Sequence, residues 1–277
     1  MSRKHRPADA APKPHPFQRR GLLYTVYFVL RVAVIFMLVA AVFNRNYENV
    51  ALCVLTLVLF MLPSAFERRL RIELPDTLEI IILLFIFAAE ILGEIQDYYI
   101  TFPYWDTMLH TTNGFLCAAI GFALVDILNR TERVSLNLSP FYMAVVAFCF
   151  SMTVGVVWEF FEFSMDYFLH FDMQKDTILN MISTVNLDPN HGTSAVVVDG
   201  IQDVILVLED GTQKSLGLGG YLDIGIVDTM VDLFVNFIGA VIFSTIGFFY
   251  VKGRGHSRIA PRFIPQVLPE EKPDTEE

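Results

Sequence analysis

Hydrophobic positions in this chain fall in long, nearly unbroken runs rather than in the narrow stripes of a soluble helix. A helical crossing of a bilayer needs about 20 apolar residues. By that measure the pattern predicts six spans, at about 21–43, 49–66, 76–94, 107–128, 140–166 and 225–251. Between the fifth and sixth spans the pattern changes. Ala195–Val198, Asp203–Leu208 and Gln213–Leu218 read as short strands, and Asp199-Gly200 and Asp210-Gly211 are hairpin-turn pairs between them. The expected unit is a three-stranded meander within an insertion at 170–224, set over the helices as a lid. It is too small for a substantial core of its own. EF-hand spacing is missing, so the Asp-Gly pairs are turns rather than calcium loops.

Composition agrees with the runs. Hydrophobic residues are 54% of the 277, and mean hydropathy is +0.49, values of a polytopic membrane protein rather than a soluble domain. The fold class expected is therefore all-α and polytopic, with six transmembrane helices and a small β-rich insertion between helices 5 and 6. Basic residues set the orientation. They gather before the first span (Arg3, Lys4, Arg6, Lys13, Arg19, Arg20), after the second (Arg68, Arg69, Arg71), after the fourth (Arg130, Arg133) and after the sixth (Lys252, Arg254, Arg258, Arg262). The intervening loops carry only Arg45, Lys175 and Lys214. The positive-inside rule then places both termini in the cytoplasm and the insertion outside.

The linear organisation expected is a disordered basic tail at 1–20, helices 1–5 over 21–169, the insertion at 170–224, helix 6 at 225–253 and a polar, mobile cytoplasmic tail at 254–277. The run Leu22–Phe43 is too long for a signal-peptide core and no small-residue cleavage site follows it, so it reads as a retained span. Cys53, Cys117 and Cys149 all sit in apolar runs without CxxC spacing, which points to small buried residues rather than a disulfide or thiolate-zinc framework. Arg31, mid-span, reads as snorkelling or as one half of a structural ion pair, and Pro63 as a helix end or kink. The partners implied are membrane lipids, with no nucleic acid.

Candidate chemistry lies in the polar residues inside the spans, where an ionisable group costs roughly 2.5–3.5 kcal/mol at mid-helix on insertion scales. Glu90, Glu94 and Asp97 are spaced i, i+4, i+7 at the end of span 3. Asp106, His110 and Asn113 repeat that spacing at the start of span 4. Glu159, Glu162 and Asp166 (i, i+3, i+7) close span 5, and Asp228, Asp232 and Asn236 (i, i+4, i+8) open span 6. Each set falls on one helical stripe, and the topology puts all four stripes in the outer half of the bilayer. The simplest packing turns them toward one polar cavity. So many carboxylates with one imidazole and no Lys or Arg on the stripes require protons or a bound cation. An oxygen-rich set suits Mg²⁺, Ca²⁺ or Mn²⁺, and the imidazole brings Zn²⁺ or Fe²⁺ into range. His110, Glu159, Glu162, Asp228 and Asp232 are the candidate metal ligands. His110, Asp106 and Glu159 are the candidate catalytic groups, with Glu90, Glu94, Asn113 and Asn236 in support. The H-E-x-x-H zincin motif and the Glu-x-x-His signature of di-iron bundles are absent. The plainer readings are that acidic residues favour helix ends, that Trp105 and Trp158 are interfacial belt residues, and that Gly114, Gly155 and Gly239 are close-packing points between helices.

Three motifs carry a resemblance: Asp106-x-x-x-His110, Trp158-Glu159-x-x-Glu162, and Asp228-Thr-x-x-Asp232-x-x-x-Asn236-x-x-Gly239-Ala240. Over roughly spans 3 to 6 the chain resembles the YjdF-like family of bacterial inner-membrane proteins and, more distantly, VanZ-like proteins. The resemblance implies a multi-pass protein of the bacterial cytoplasmic membrane with polar intramembrane positions, and no known reaction. The strand-rich insertion departs from the shorter members. Three functions follow in order: a divalent-cation-dependent enzyme acting on an envelope lipid or lipid-linked precursor, a cation or proton transporter, and a non-catalytic membrane scaffold. Against transport, the only acids in the cytoplasmic half of the spans are Glu79 and Asp126.

Overall fold

A computed structural model describes residues 16–70, 72–130, 138–253 and 260–267. The basic tail expected to be disordered falls outside these residues up to position 15, as do Arg71, Arg133, Arg254 and Arg258. The first element, α1, covers Pro16–Phe43. Next come α2 (Tyr47–Leu59) and α3 (Leu62–Leu70), a two-residue strand β1 (Ile72–Glu73) and α4 (Asp76–Ile86). A π-helical segment, Phe87–Ile95, continues from α4, and then come α5 (Tyr98–Thr101), α6 (Trp105–Arg130) and α7 (Pro140–Leu169). Six short strands occupy the region between α7 and α8 (Ile226–Lys252).

Five helices are long and apolar enough to cross a membrane: Gly21–Phe43, Tyr47–Arg69, Trp105–Asn129, Pro140–Leu169 and Ile226–Lys252. The second joins α2 and α3 across a turn at Phe60–Met61, directly before Pro63, whose ring opposes helix in the residue before it. The run expected as span 3 is helical throughout but divided, an 11-residue α-helix passing into nine π-helical residues. The wider π turn removes Glu90, Glu94 and Asp97 from a common α-helical stripe, and Asp97 leaves the helix altogether at φ +56°. Exposed side chains suit lipid contact: Phe28, Phe36 and Phe43 on α1 are 69%, 75% and 82% exposed.

Contacts divide the chain into two compact units. Met1–Leu109, Ala119–Ala147 and Phe243–Glu277 form one, and His110–Ala118 with Phe148–Ile242 the other. In the first, Leu23, Leu30 and Val34 pack with Cys53, Phe60, Leu83, Ile86 and Ile91 in a buried apolar cluster. Arg31 is accounted for here. Its guanidinium lies 4.2 Å from the Tyr27 ring centroid and donates to the Tyr27 hydroxyl at 3.1 Å, and that hydroxyl donates to the Phe60 carbonyl. An aromatic ring thus takes the place of the expected carboxylate. The C-terminal segment also departs from expectation: β8 (Gln266–Val267) pairs antiparallel with β1, and Ile264 is buried. Ser139 caps α7 by accepting from the Tyr142 amide at 3.2 Å, with Pro140 at the first helical position.

In the second unit, His170 at φ +60° closes α7. The strands that follow are β2 (Ile178–Leu179), β3 (Ile182–Thr184), β4 (Val196–Val198), β5 (Ile205–Val207), β6 (Gln213–Ser215) and β7 (Tyr221–Leu222). They pair as three separate antiparallel ribbons, β2 with β7, β3 with β4 and β5 with β6. The expected three-stranded meander is therefore replaced. Asp210-Gly211 does turn the β5–β6 hairpin, with Gly211 at φ +80°. Asp199-Gly200 does not join β4 to β5. After Gly200 the Asn180 side chain captures the chain, donating to the carbonyls of Ile201 at 2.8 Å and Gly219 at 2.9 Å, while the Ile201 amide donates to the Asn180 carbonyl.

Asp223 ties these ribbons to the start of α8. Its carboxylate accepts from the amides of Thr177 at 2.7 Å, Val227 at 2.9 Å and Gly225 at 3.2 Å. Burial opposes its charge, yet the three amides outweigh burial and hold its pKa below the ordinary 3.8. The stabilisation is thus present above the unfolded-state pKa and lost as pH falls through the lowered folded value. Asp223→Ala should cost about 1–2 kcal/mol, the range of a lost cap or charged hydrogen bond. Thermal unfolding in detergent should show a constant deficit from neutral pH down to about 4, narrowing below the ordinary 3.8.

Candidate functional site

Three helical segments of the second unit, from α6, α7 and α8, meet around one amide. Asn236 of α8 is 1% exposed. Its Oδ1 accepts from Asn113 Nδ2 at 3.3 Å, and its Nδ2 faces Met152 Sδ at 3.7 Å. Asn113 Oδ1 in turn accepts from the Cys117 thiol at 3.4 Å, and the buried Ser151 hydroxyl donates to the Gly114 carbonyl at 2.7 Å. Glycines permit the approach. A Cβ at Gly114 would overlap the Asn236 carbonyl, one at Gly239 the Thr111 carbonyl, and one at Gly155 would lie 2.7 Å from Asn236 Nδ2.

This contact sets His110, one residue before Thr111, between the other two helices. Nδ1 is 3.9 Å from Glu159 Oε1 on α7, and Nε2 is 3.9 Å from Asp232 Oδ2 on α8. Both distances are too long for a direct hydrogen bond. His110, Glu159, Glu162 and Asp232 are buried, at 8%, 4%, 7% and 2% exposure. His110, Glu159 and Glu162 can each offer one donor atom with all three within 4.8 Å of one another. Donors at about 2.0–2.5 Å from a shared ion lie up to roughly 4–5 Å apart, so the spacing fits a single cation. Glu162 is oriented from its own helix: the Trp158 indole donates to its Oε1 at 2.9 Å. The charge balance agrees, since three buried carboxylates exceed what one imidazolium neutralises, and protons or a cation must supply the rest.

The other expected site residues are distributed differently. Asp228 Oδ2 accepts the Lys175 amide at 2.7 Å, and Asp166 accepts the amides of Met173 at 2.6 Å and Gln174 at 2.8 Å. These two acids clamp the chain between α7 and α8 to the helix ends, because that chain starts and stops there with amides to satisfy. Glu90, Glu94 and Asp106 belong to the first unit, Asp106 in the first turn of α6. Asn113 and Asn236 hold each other rather than the carboxylates. Trp158, which reads as a belt residue, is half out of the protein yet ends on Glu162. Their i, i+4 spacing was the available signal. Nothing in the sequence marks Ser151 or Met152.

The family model described as a predicted membrane protein (DUF2238) matches residues 26–253. A protein of Thermotoga maritima described as uncharacterized is 26% identical over 124 residues, 43% of this chain and 62% of that protein. The chain thus spans less than two thirds of the length of that relative. No solved structure matches.

Gly239→Ala and Gly114→Ala should each prevent native packing or cost about 3 kcal/mol, the upper range for overpacking against rigid backbone. Gly21→Ala, with open space around it, should be neutral. Monodisperse yield and thermal midpoint in detergent distinguish the two classes.

Proposed function

The chain belongs to the DUF2238 family of predicted membrane proteins, and we propose that it holds a divalent cation on the cluster of His110, Glu159, Glu162 and Asp232. In this reading the protein crosses the bacterial cytoplasmic membrane six times, with the α4 and π-helical run as the third crossing and both termini inside. The strand ribbons and the cation site then lie toward the outer surface. The likeness of the motifs to YjdF-like proteins belongs to the same proposal. The observation that carries it is the convergence of one buried imidazole and two buried carboxylates from two helices within 4.8 Å. An ion with mixed nitrogen and oxygen donors and open coordination positions polarises a phosphoryl or acyl oxygen, or lowers the pKa of a bound water. At this depth the substrate class is an envelope lipid or a lipid-linked precursor. The protein supplies a dry site, fixed ligands and, in Asp106 at the entrance turn of α6, a further acid for proton transfer.

A second reading, cation or proton transport, is favoured by the burial of Glu79 and Asp126, at 7% and 8% exposure.

Elemental analysis of protein purified without chelator should find about one divalent metal per chain, lost in His110→Ala and in Glu159→Gln. Metal-free wild-type protein that carries a cation or proton flux in liposomes would replace the first reading with the second.

A further inference from the structure

The two ring nitrogens of His110 face different carboxylates on different helices. Their lone-pair directions diverge within the ring plane, so one ion cannot take both. A neutral imidazole offers one acceptor nitrogen and one N–H donor. The distances, 3.9 Å on either side, do not choose between them. The donor count does. Within the second unit, Glu159 stands on the Nδ1 side, and Glu162 follows one turn later on α7 with a donor atom in reach of both. The Nε2 side meets the carboxylate of Asp232, on α8.

Resting on the cation-site reading, we propose that Nδ1 of His110 ligates the ion with Glu159 and Glu162, while Nε2 keeps its proton and donates it to Asp232. Asp232 is then a positioning residue and not a ligand. A histidine that ligates a metal commonly donates its other N–H to a carboxylate, which fixes ring orientation and tautomer and raises ligand basicity. Trp158 does the parallel task for Glu162, its indole N–H holding Oε1 at 2.9 Å. Each of the two ligands with rotational freedom in the site thus has its own orienting partner, one on the neighbouring helix and one a turn back on the same helix. One imidazole and two carboxylates form a borderline donor set, which selects Zn²⁺, Mn²⁺ or Fe²⁺ over Ca²⁺. It also leaves at least one coordination position for water or substrate.

The test uses the full chain in lipid nanodiscs, with ¹⁵N-labelled histidine and His110 identified by the signal missing in His110→Asn. On addition of Zn²⁺, Nδ1 of His110 should move to the metal-bound range and Nε2 should remain protonated. In parallel Zn²⁺ titrations against a chelating dye, Asp232→Asn and Trp158→Phe should keep one ion per chain with affinity reduced roughly 10–100-fold, the range for lost outer-shell partners. Glu159→Gln and Glu162→Gln should lose stoichiometric binding. Metal on Nε2, or loss of stoichiometry in Asp232→Asn equal to that in Glu159→Gln, overturns the assignment and leaves the cation site standing. Wild-type protein that binds neither Zn²⁺ nor Mn²⁺ overturns the cation site itself. The nitrogen shifts come from unaltered protein, so the assignment does not depend on a variant that folds.

Discussion

Two backbone carbonyls decide how closely the helices of the second unit approach: that of Asn236 against Gly114, and that of Thr111 against Gly239. A side chain at either glycine would drive α6 and α8 apart. Because the contact is backbone on backbone, it sets distance and register together. His110 precedes Thr111 by one residue and Asp232 precedes Asn236 by one turn. The separation of imidazole and carboxylate therefore follows from the packing of atoms that carry no chemistry. Asn236 fills the remaining space and satisfies Asn113 across the interface, with sulfur atoms of Cys117 and Met152 as the outer partners. Sulfur is a weak partner, so the amide pair aligns helices more than it stabilises them.

Charge is the second constraint. Glu159, Glu162 and Asp232 would be too costly to bury as isolated anions, and a histidine midway between two of them can be neutral or cationic without moving. Such a site responds to whatever positive species reaches it, a proton or a metal ion. Oxygens from two helices and the ring edge of a third make the arrangement stiff. Stiffness favours ions that accept a fixed, low coordination number.

Not every acid on these helices serves that purpose. Asp166, Asp228 and Asp223 each accept backbone amides where chain enters or leaves a helix. They join the ribbons β2–β7 to α7 and α8 by hydrogen bonds rather than by apolar packing. This suits ribbons whose side chains are largely exposed, such as β5 and β6. Without those carboxylates, two-stranded ribbons of two or three residues would have little independent stability.

Apolar run length was legible from residues alone, since a lipid-facing helix must be apolar all round and about 20 residues long. Five of the expected crossings appear as helices of that kind, and the class of the protein with them. The strands at 196–198, 205–207 and 213–215 were legible too, from β-branched residues between turn signals. Helical spacing put His110 and Asn113, Glu159 and Glu162, and Asp232 and Asn236 on stripes. Which stripe residues face one another was not legible, because periodicity is a property of one helix and facing is a property of a pair. The same acidic residue type serves as a candidate ligand at 232 and as a backbone clamp at 228. Only the crossing of α6 and α8 separates the two. Likewise the partner of β4 depends on Asn180 reaching two distant carbonyls, and the π turn after α4 shifts Glu90 and Glu94 from the stripe their spacing implies. Local pattern determined what each segment is. The close approach of backbones, permitted at a few glycines, decided what each side chain meets.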